Sequence, residues 1–464
     1  MYSKEEEMQK TNMNRREFNT LATSLGLLTF GAPLESILAN ENVSEEGIKG
    51  KKLIVLSLHG GCDTLNAFIP SRKAEYNIYK DLRTIPLQNG EKEISIAIAL
   101  SDTLALVGNN NIARNNNFRL HPKLSSLIRI WNQGDLAFFP ATHCISSEYL
   151  KEGKKANRSH FHQIDLFERG GTTGDNVKIY KGWLARYFEQ QQKMKMQTQT
   201  DKKLLKAFDF HGEGRAFEGN NVPVLALKDP SNIKIGNLAE VLKPELKDKA
   251  PSRLEASKNH GELSFNYAKT QDALFRRIVK IQNIKNLDTT YNITKKKSEL
   301  AKQLKQTATL LRNIKELEIV QLVMGGWDTH KGQMSTQADL FEELSESLKF
   351  FYKDLKSKGE LDNVVIVVQT EFGRTLKVNG TAGTDHGQAS GWFVVGGKVI
   401  GGQKGEWKSL TDYDDNERYI KQKTDYRDIL GTILEKHMGM DPNDVKNIFG
   451  YDEDTTYNQM DFIG

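Results

Sequence analysis

Leu53-Ile-Val-Leu-Ser-Leu58 is a near-continuous apolar run of strand length, the pattern of a strand covered on both faces. Comparable runs occupy 136–139, 222–227, 318–324 and 364–369, and a shorter one 392–396. Between them, apolar residues recur at helical spacing. They predict helices from Leu120-His121-Pro122 to about residue 132, from Arg158 to a stop at Gly170-Gly171, and onward from Gly182-Trp183. Further helices are predicted near 262–285, 295–313, 336–356 and 426–437. Strands alternating with helices predict an α/β fold, a mainly parallel sheet with helices on both faces. No internal repeat or long linker interrupts the pattern, which favours one large domain. A lysine-rich, mostly helical section at 190–313 lies within it, and 441–464 reads as a C-terminal tail.

The first 39 residues depart from this pattern. Asn14-Arg15-Arg16-Glu17-Phe18 precedes a weakly hydrophobic stretch to Phe30 and the small-residue end Ile37-Leu38-Ala39. A paired arginine, an apolar stretch and small residues make residues 1–39 a candidate twin-arginine signal peptide, recognised by the twin-arginine export machinery. The apolar stretch is far shorter than the ~20 residues that span a bilayer, so no permanent membrane span is expected. Export would place the mature protein in the periplasm or outside the cell.

Composition narrows the class. The 464 residues are 38% hydrophobic and 27% charged, ordinary for a globular chain. Net charge is +5, from 65 basic and 60 acidic residues; without residues 1–39 it is 61 against 55, or +6. That surplus is too small for a nucleic-acid footprint, so no nucleic-acid partner is expected. The only cysteines, Cys62 and Cys144, make no disulfide framework in a chain of this length. A buried Cys62 thiol is the simpler reading, with a Cys62–Cys144 bridge the alternative.

The candidate chemistry lies mostly within 59 residues. Asp328 and His330, Glu371, then Asp385 and His386 stand on glycine-rich turns, two of which follow strand-like runs. Ligands of open α/β sheets bind outside the strands' carboxyl ends, so acids and imidazoles on such turns point to a metal site. Residues i and i+2 of extended chain point the same way, which lets Asp328 and His330 reach one cation. Asp385 and His386 are adjacent, and between Gly383 and Gly387 they could serve neighbouring metals, one each. Two metals ~3.5–4 Å apart would clamp a phosphoryl or sulfuryl transfer. The oxygen and imidazole set suits one or two divalent ions of zinc, manganese or calcium.

Asp63 ends the first strand and is either a further ligand or an Asx-turn acid. Ser159, at a helix start, is either a nucleophile or an N-cap, with Thr64 as its rival nucleophile. Arg158 and Arg374 could hold an oxyanion bidentately or stand as surface cations. His59, His121 and His143 read as core or cap residues.

These motifs occur in a recognisable order. After the arginine pair come Gly60-Gly61-x-Asp63 with Asn66, Leu120-His121-Pro122, Arg158-Ser159-His160-Phe161 and Gly182-Trp183. Gly326-Trp327-Asp328-Thr329-His330, Glu371-Phe372-Gly373-Arg374-Thr375 and Gly383-Thr384-Asp385-His386-Gly387 follow. Over about 50–440 the chain resembles the exported bacterial family catalogued as domain of unknown function 1501, which is similar in fold to sulfatases and alkaline phosphatases. The resemblance implies an alkaline-phosphatase-like three-layer α/β/α sandwich. It implies metal roles for Asp63, Asp328, His330, Asp385 and His386, with Ser159 where a nucleophile is expected. Glu371 is the last of the candidate ligands, and Arg374 a candidate catalytic cation. His59 and Thr64 depart from the arginine and glycine common there. No Cys-x-Pro-x-Arg sulfatase signature is present, which shifts weight towards phosphatase chemistry. The expectation is an exported metal-dependent hydrolase acting on a small anionic phosphate or sulfate ester. The alternative is a non-catalytic envelope protein that keeps fold and metal site and binds or assembles another envelope protein.

Overall fold

A computed structural model describes residues 48–86, 93–108, 114–145, 157–172, 181–194, 205–211, 214–219, 224–230, 281, 284–287, 289–414, 418–451 and 456–464. The candidate signal peptide at 1–39 and almost all of the helix expected at 262–285 lie outside these residues.

Among the described residues, nine strands of one sheet organise the molecule. They are β1 (Lys52–Leu58), β2 (Leu136–His143), β3 (Ala207–Asp209), β4 (Val224–Ala226), β5 (Ile319–Met324), β6 (Val364–Gln369), β7 (Ser390–Gly396), β8 (Gly402–Gln403) and β9 (Thr424–Asp425). Their order is β8-β2-β7-β6-β1-β5-β3-β4, and β9 also pairs with β2. β1 lies between β5 and β6, parallel to both. Only β7 runs against its neighbours, β6 and β2.

Every residue of β1 is buried, as its near-continuous apolar run leads one to expect. Alternation then divides it between two cores. Ile54, Leu56 and Leu58 join one, with α2 (Ser125–Gln133), α5 (Glu299–Asn313) and α6 (Gln333–Ser357). Leu53 and Val55 join the other, with α3 (His160–Arg169), α4 (Trp183–Met194), α7 (Tyr426–Thr432) and α8 (Pro442–Phe449). The fold is therefore a three-layer α/β/α sandwich around a mainly parallel sheet. Each buried Leu, Ile or Val contributes roughly 1.5–3 kcal/mol, so the central strands anchor both layers.

Local chemistry moved several expected boundaries. α5 begins at Glu299, not near 295, because the Ser298 hydroxyl caps the Ala301 N–H. α6 begins at Gln333 after Gly332, whose φ of 54° supplies the left-handed turn. His121-Pro122 opens a single tight 3-10 turn, Pro122–Leu124, before α2. Residues 433–437 continue α7 as a π turn. The described residues of 441–464 pack onto the domain: α8 lies against α4, Phe462 is buried, and Ile463 bridges to Val399. Among the described residues no helix is long and apolar enough to cross a membrane.

Candidate metal centre

Because β1, β5 and β6 are parallel, the turns after Leu58, Met324 and Gln369 emerge at one edge of the sheet. β7 is antiparallel and enters at that edge, so the turn before it, with Asp385 and His386, arrives at the same place. The turns are fastened to one another. Thr370 Oγ1 donates to Leu58 O at 2.9 Å and accepts from Cys62 N at 3.0 Å. Gly60 has φ +121°, and a Cβ there would meet the Asp328 amide nitrogen at 2.3 Å, so only glycine permits this approach. A Cβ on Gly383 would likewise strike the His330 carbonyl carbon at 2.3 Å.

Four side chains converge here. Asp328 Oδ1 lies 3.0 Å from His330 Nε2 and 3.1 Å from His386 Nε2, and those two nitrogens are 3.0 Å apart. Asp328 Oδ2 lies 3.5 Å from His160 Nε2, contributed by the first residue of α3. Each imidazole is held from behind by an acceptor at Nδ1: Glu371 Oε1 for His160 (2.8 Å), Asp385 Oδ1 for His330 (3.0 Å) and the Arg158 carbonyl for His386 (2.8 Å). A carbonyl can only accept, and a carboxylate accepts when ionised, so each Nδ1 carries a proton and each Nε2 is the ring atom turned towards the centre. His160 Nε2 is buried and makes no hydrogen bond. Ring nitrogens this close to one another and to a carboxylate need a proton or a cation among them, since bare lone pairs would repel. His160, Asp328 and His386 each offer a ligand atom within 4.8 Å of the others. The separations of 3.0–3.1 Å among Asp328, His330 and His386 are close to the roughly 3.3 Å between neighbouring ligands of a tetrahedral ion with ~2.0–2.1 Å bonds, and His160 lies 3.5 Å from Asp328. The donor set fits a divalent cation.

Electrostatics supports the assignment. Burial alone would raise the Asp328 carboxyl, but the hydrogen bond and charge of Arg374 outweigh it and hold the carboxyl below its usual range. Burial would also raise Glu371, and there His160, His59 and the Gly60 N–H prevail. Burial lowers His386, which favours the neutral, ligating ring, whereas the hydrogen bond to Glu371 outweighs burial at His160 and raises it.

The remaining expected residues take other places. Asp63 does not face the centre: it is buried in a bidentate pair with Arg83 (2.7 and 3.0 Å), and its Oδ2 also accepts from Gln333 Nε2 at 2.6 Å. Glu371 and Asp385 stand one step behind the inward nitrogens as orienting acceptors. Thr64 Oγ1 pairs with Ser390 Oγ at 3.0 Å and accepts the Gly391 N–H at 2.6 Å, which ties the first turn to β7. Ser159 is the exposed N-cap of α3, makes no side-chain cap bond, and brings its neighbour His160 inward. Arg374 is buried, not a surface cation, and donates to Asp328, Gly60 O and Thr384 O. The Arg158 guanidinium lies 4.5 Å over the Tyr419 ring. Cys62 and Cys144 are buried thiols without a disulfide.

His160 is the residue that the motif reading passed over. Arg158-Ser159-His160-Phe161 drew attention to the hydroxyl as a nucleophile. The available signal was a histidine at a helix start beside that serine.

Residues 50–454 match the family described as Protein of unknown function (DUF1501). The chain belongs to that family. No curated protein matches its sequence. Among solved structures it is similar to the lipoteichoic acid synthase LtaP from Listeria monocytogenes, with 10% identity, TM-score 0.30, and 95% of this chain and 80% of that one covered. It is also similar to a protein of the alkaline phosphatase superfamily from Vibrio parahaemolyticus, with 10% identity, TM-score 0.32, and 91% and 75% covered. A third similarity is to a sulfatase from Pseudoalteromonas sp., with 9% identity, TM-score 0.28, and 96% and 73% covered.

Proposed function

We propose that this protein is an exported, metal-dependent hydrolase of small phosphate or sulfate esters. The observation that carries this reading is the convergence of three oriented imidazole nitrogens and one carboxylate at the sheet's carboxyl edge. His160, Asp328, His330 and His386 would hold the ion. When bound, a divalent cation acts there as a Lewis acid, polarising a phosphoryl or sulfuryl oxygen. Glu371, Asp385 and the Arg158 carbonyl keep the three rings aimed, and Arg374 fixes Asp328. The centre is reachable, since Asp328, His330 and Asp385 keep nearly half of their side-chain surface exposed. Ser159 remains the candidate hydroxyl nucleophile, one residue from His160. The candidate signal at 1–39 and the family resemblance support export.

The test is hydrolysis of aryl phosphates and aryl sulfates by the purified protein, reconstituted with zinc, manganese or calcium in turn. Turnover that is lost on chelation and in His386→Ala supports the reading. No turnover with any ion would defeat it. The alternative, a non-catalytic envelope binding protein with the same centre, predicts bound metal with no hydrolysis.

A further inference from the structure

We propose that this centre takes a single ion of the zinc class, and that the buried guanidinium of Arg83 stands at Asp63 in place of a second cation. The inference rests on the proposed metal centre and not on the hydrolytic reaction.

The acceptors at the sheet edge can be followed one by one. Asp63 Oδ1 receives Arg83 Nη2, and Oδ2 receives Arg83 Nη1 and Gln333 Nε2. Both partners of that ion pair are almost fully buried. The pair is neutral as it stands, and a dication at Asp63 would have to displace or face a guanidinium that has no path to water. Gln333 is committed in turn, its Oε1 accepting from Thr384 and Thr329. Glu371 Oε1 is shared by His160 Nδ1 and the Gly60 N–H. Asp385 Oδ1 accepts from His330 and from Asn379.

What remains inward-facing is Asp328 and three imidazole nitrogens. Asp328, Glu371 and Asp385 supply three negative charges, which one dication and the buried Arg374 cation bring to about zero, whereas a second dication would leave about +2. A set of three nitrogens and one oxygen suits zinc. Calcium and magnesium demand oxygen ligands, and manganese prefers them.

The experiment is metal binding by the full-length folded protein, stripped with a chelator and then offered zinc, calcium or manganese separately. Elemental analysis should give one zinc per chain, with calcium lost on desalting. Cobalt in place of zinc should give the intense visible absorption of a four- or five-coordinate ion. Glu371→Gln should weaken zinc binding by ~10–100-fold. Asp63→Asn, read beside a circular-dichroism check of folding, should keep one zinc per chain. Two ions per chain, retention of calcium over zinc, a weak octahedral cobalt spectrum, or loss of zinc from a folded Asp63→Asn variant would each overturn the inference. The wild-type stoichiometry decides the matter even where that variant does not fold. None of these readouts involves turnover. One zinc without ester hydrolysis would keep this inference and defeat the proposed function, whereas hydrolysis with two ions would do the reverse.

Discussion

Arg374 Nη1 donates to Asp328 Oδ1 at 3.0 Å from a side chain with no exposed surface, while Asp328 itself keeps 46% of its side-chain surface in solvent. The arginine is thus a rigid post for a carboxylate that would otherwise be free to swing. Arg374→Ala removes that post and leaves the Gly60 and Thr384 carbonyls without their donor. The expected loss of stability is ~2–4 kcal/mol, from unpaired buried acceptors and an uncompensated carboxylate. Urea unfolding measures it, and an unchanged midpoint would contradict this role. Arg374→Lys should recover little, because one ammonium cannot reach three acceptors in a planar fork.

The Asp63–Arg83 pair makes a second, separable prediction. Asp63→Ala strands a buried guanidinium and should cost ~3–5 kcal/mol. Asp63→Leu combined with Arg83→Met removes both charges and should be less destabilising than Asp63→Ala alone. A double variant as unstable as the sum of the singles would show that the two residues do not act as a pair.

Gly60→Ala tests the close approach of the first and fifth strands' turns. A methyl group at φ +121°, 2.3 Å from the Asp328 amide nitrogen, forces the two turns apart. Backbone strain of this kind costs about 1–3 kcal/mol before any shift of Asp328 is counted. Zinc affinity and the thermal midpoint should fall together. A fall in neither would mean that the turns separate without consequence.

A pH dependence follows from Glu168 on α3. Burial, aided by the neighbouring Asp209 carboxylate, raises its carboxyl to about 7 despite hydrogen bonds from the Arg215 N–H and Gln321 Nε2. The folded state therefore holds this proton more tightly than the unfolded state, where the group titrates near 4.5. Stability from this group is fully present below pH 4.5 and is lost as pH rises through about 7. Glu168→Gln should flatten the fall in unfolding free energy across that window, as measured by urea titrations at pH 5, 6 and 7. An unaltered slope would assign the pH dependence elsewhere.

Much of this architecture was legible because parallel strands covered on both faces are mostly apolar. The runs at 53–58, 318–324 and 364–369 are such strands, and the acids and imidazoles after them fell where open sheets place ligands. The direction of β7 was not legible, because an apolar run reads the same whichever way it enters the sheet. Pairing was the other hidden quantity. The i, i+2 histidine marks Asp328 locally, but nothing local shows that Asp63 is taken by Arg83, set 20 residues away by the packing of α1 (Lys73–Leu82). His160 was hidden for the same reason. Its importance arises from Glu371 Oε1, 211 positions distant, which turns the ring inward.

The antiparallel entry of β7 has a further consequence for how the protein matures. Asp385 and His386 reach the centre only when β7 has threaded between β6 and β2, strands whose nearest residues are separated by more than 200 positions along the chain. Such non-local pairing closes late in folding. A chain that ends before β7 has no element to seat His386, so uptake of the proposed metal would report that β7 has been made and has taken its place between β6 and β2.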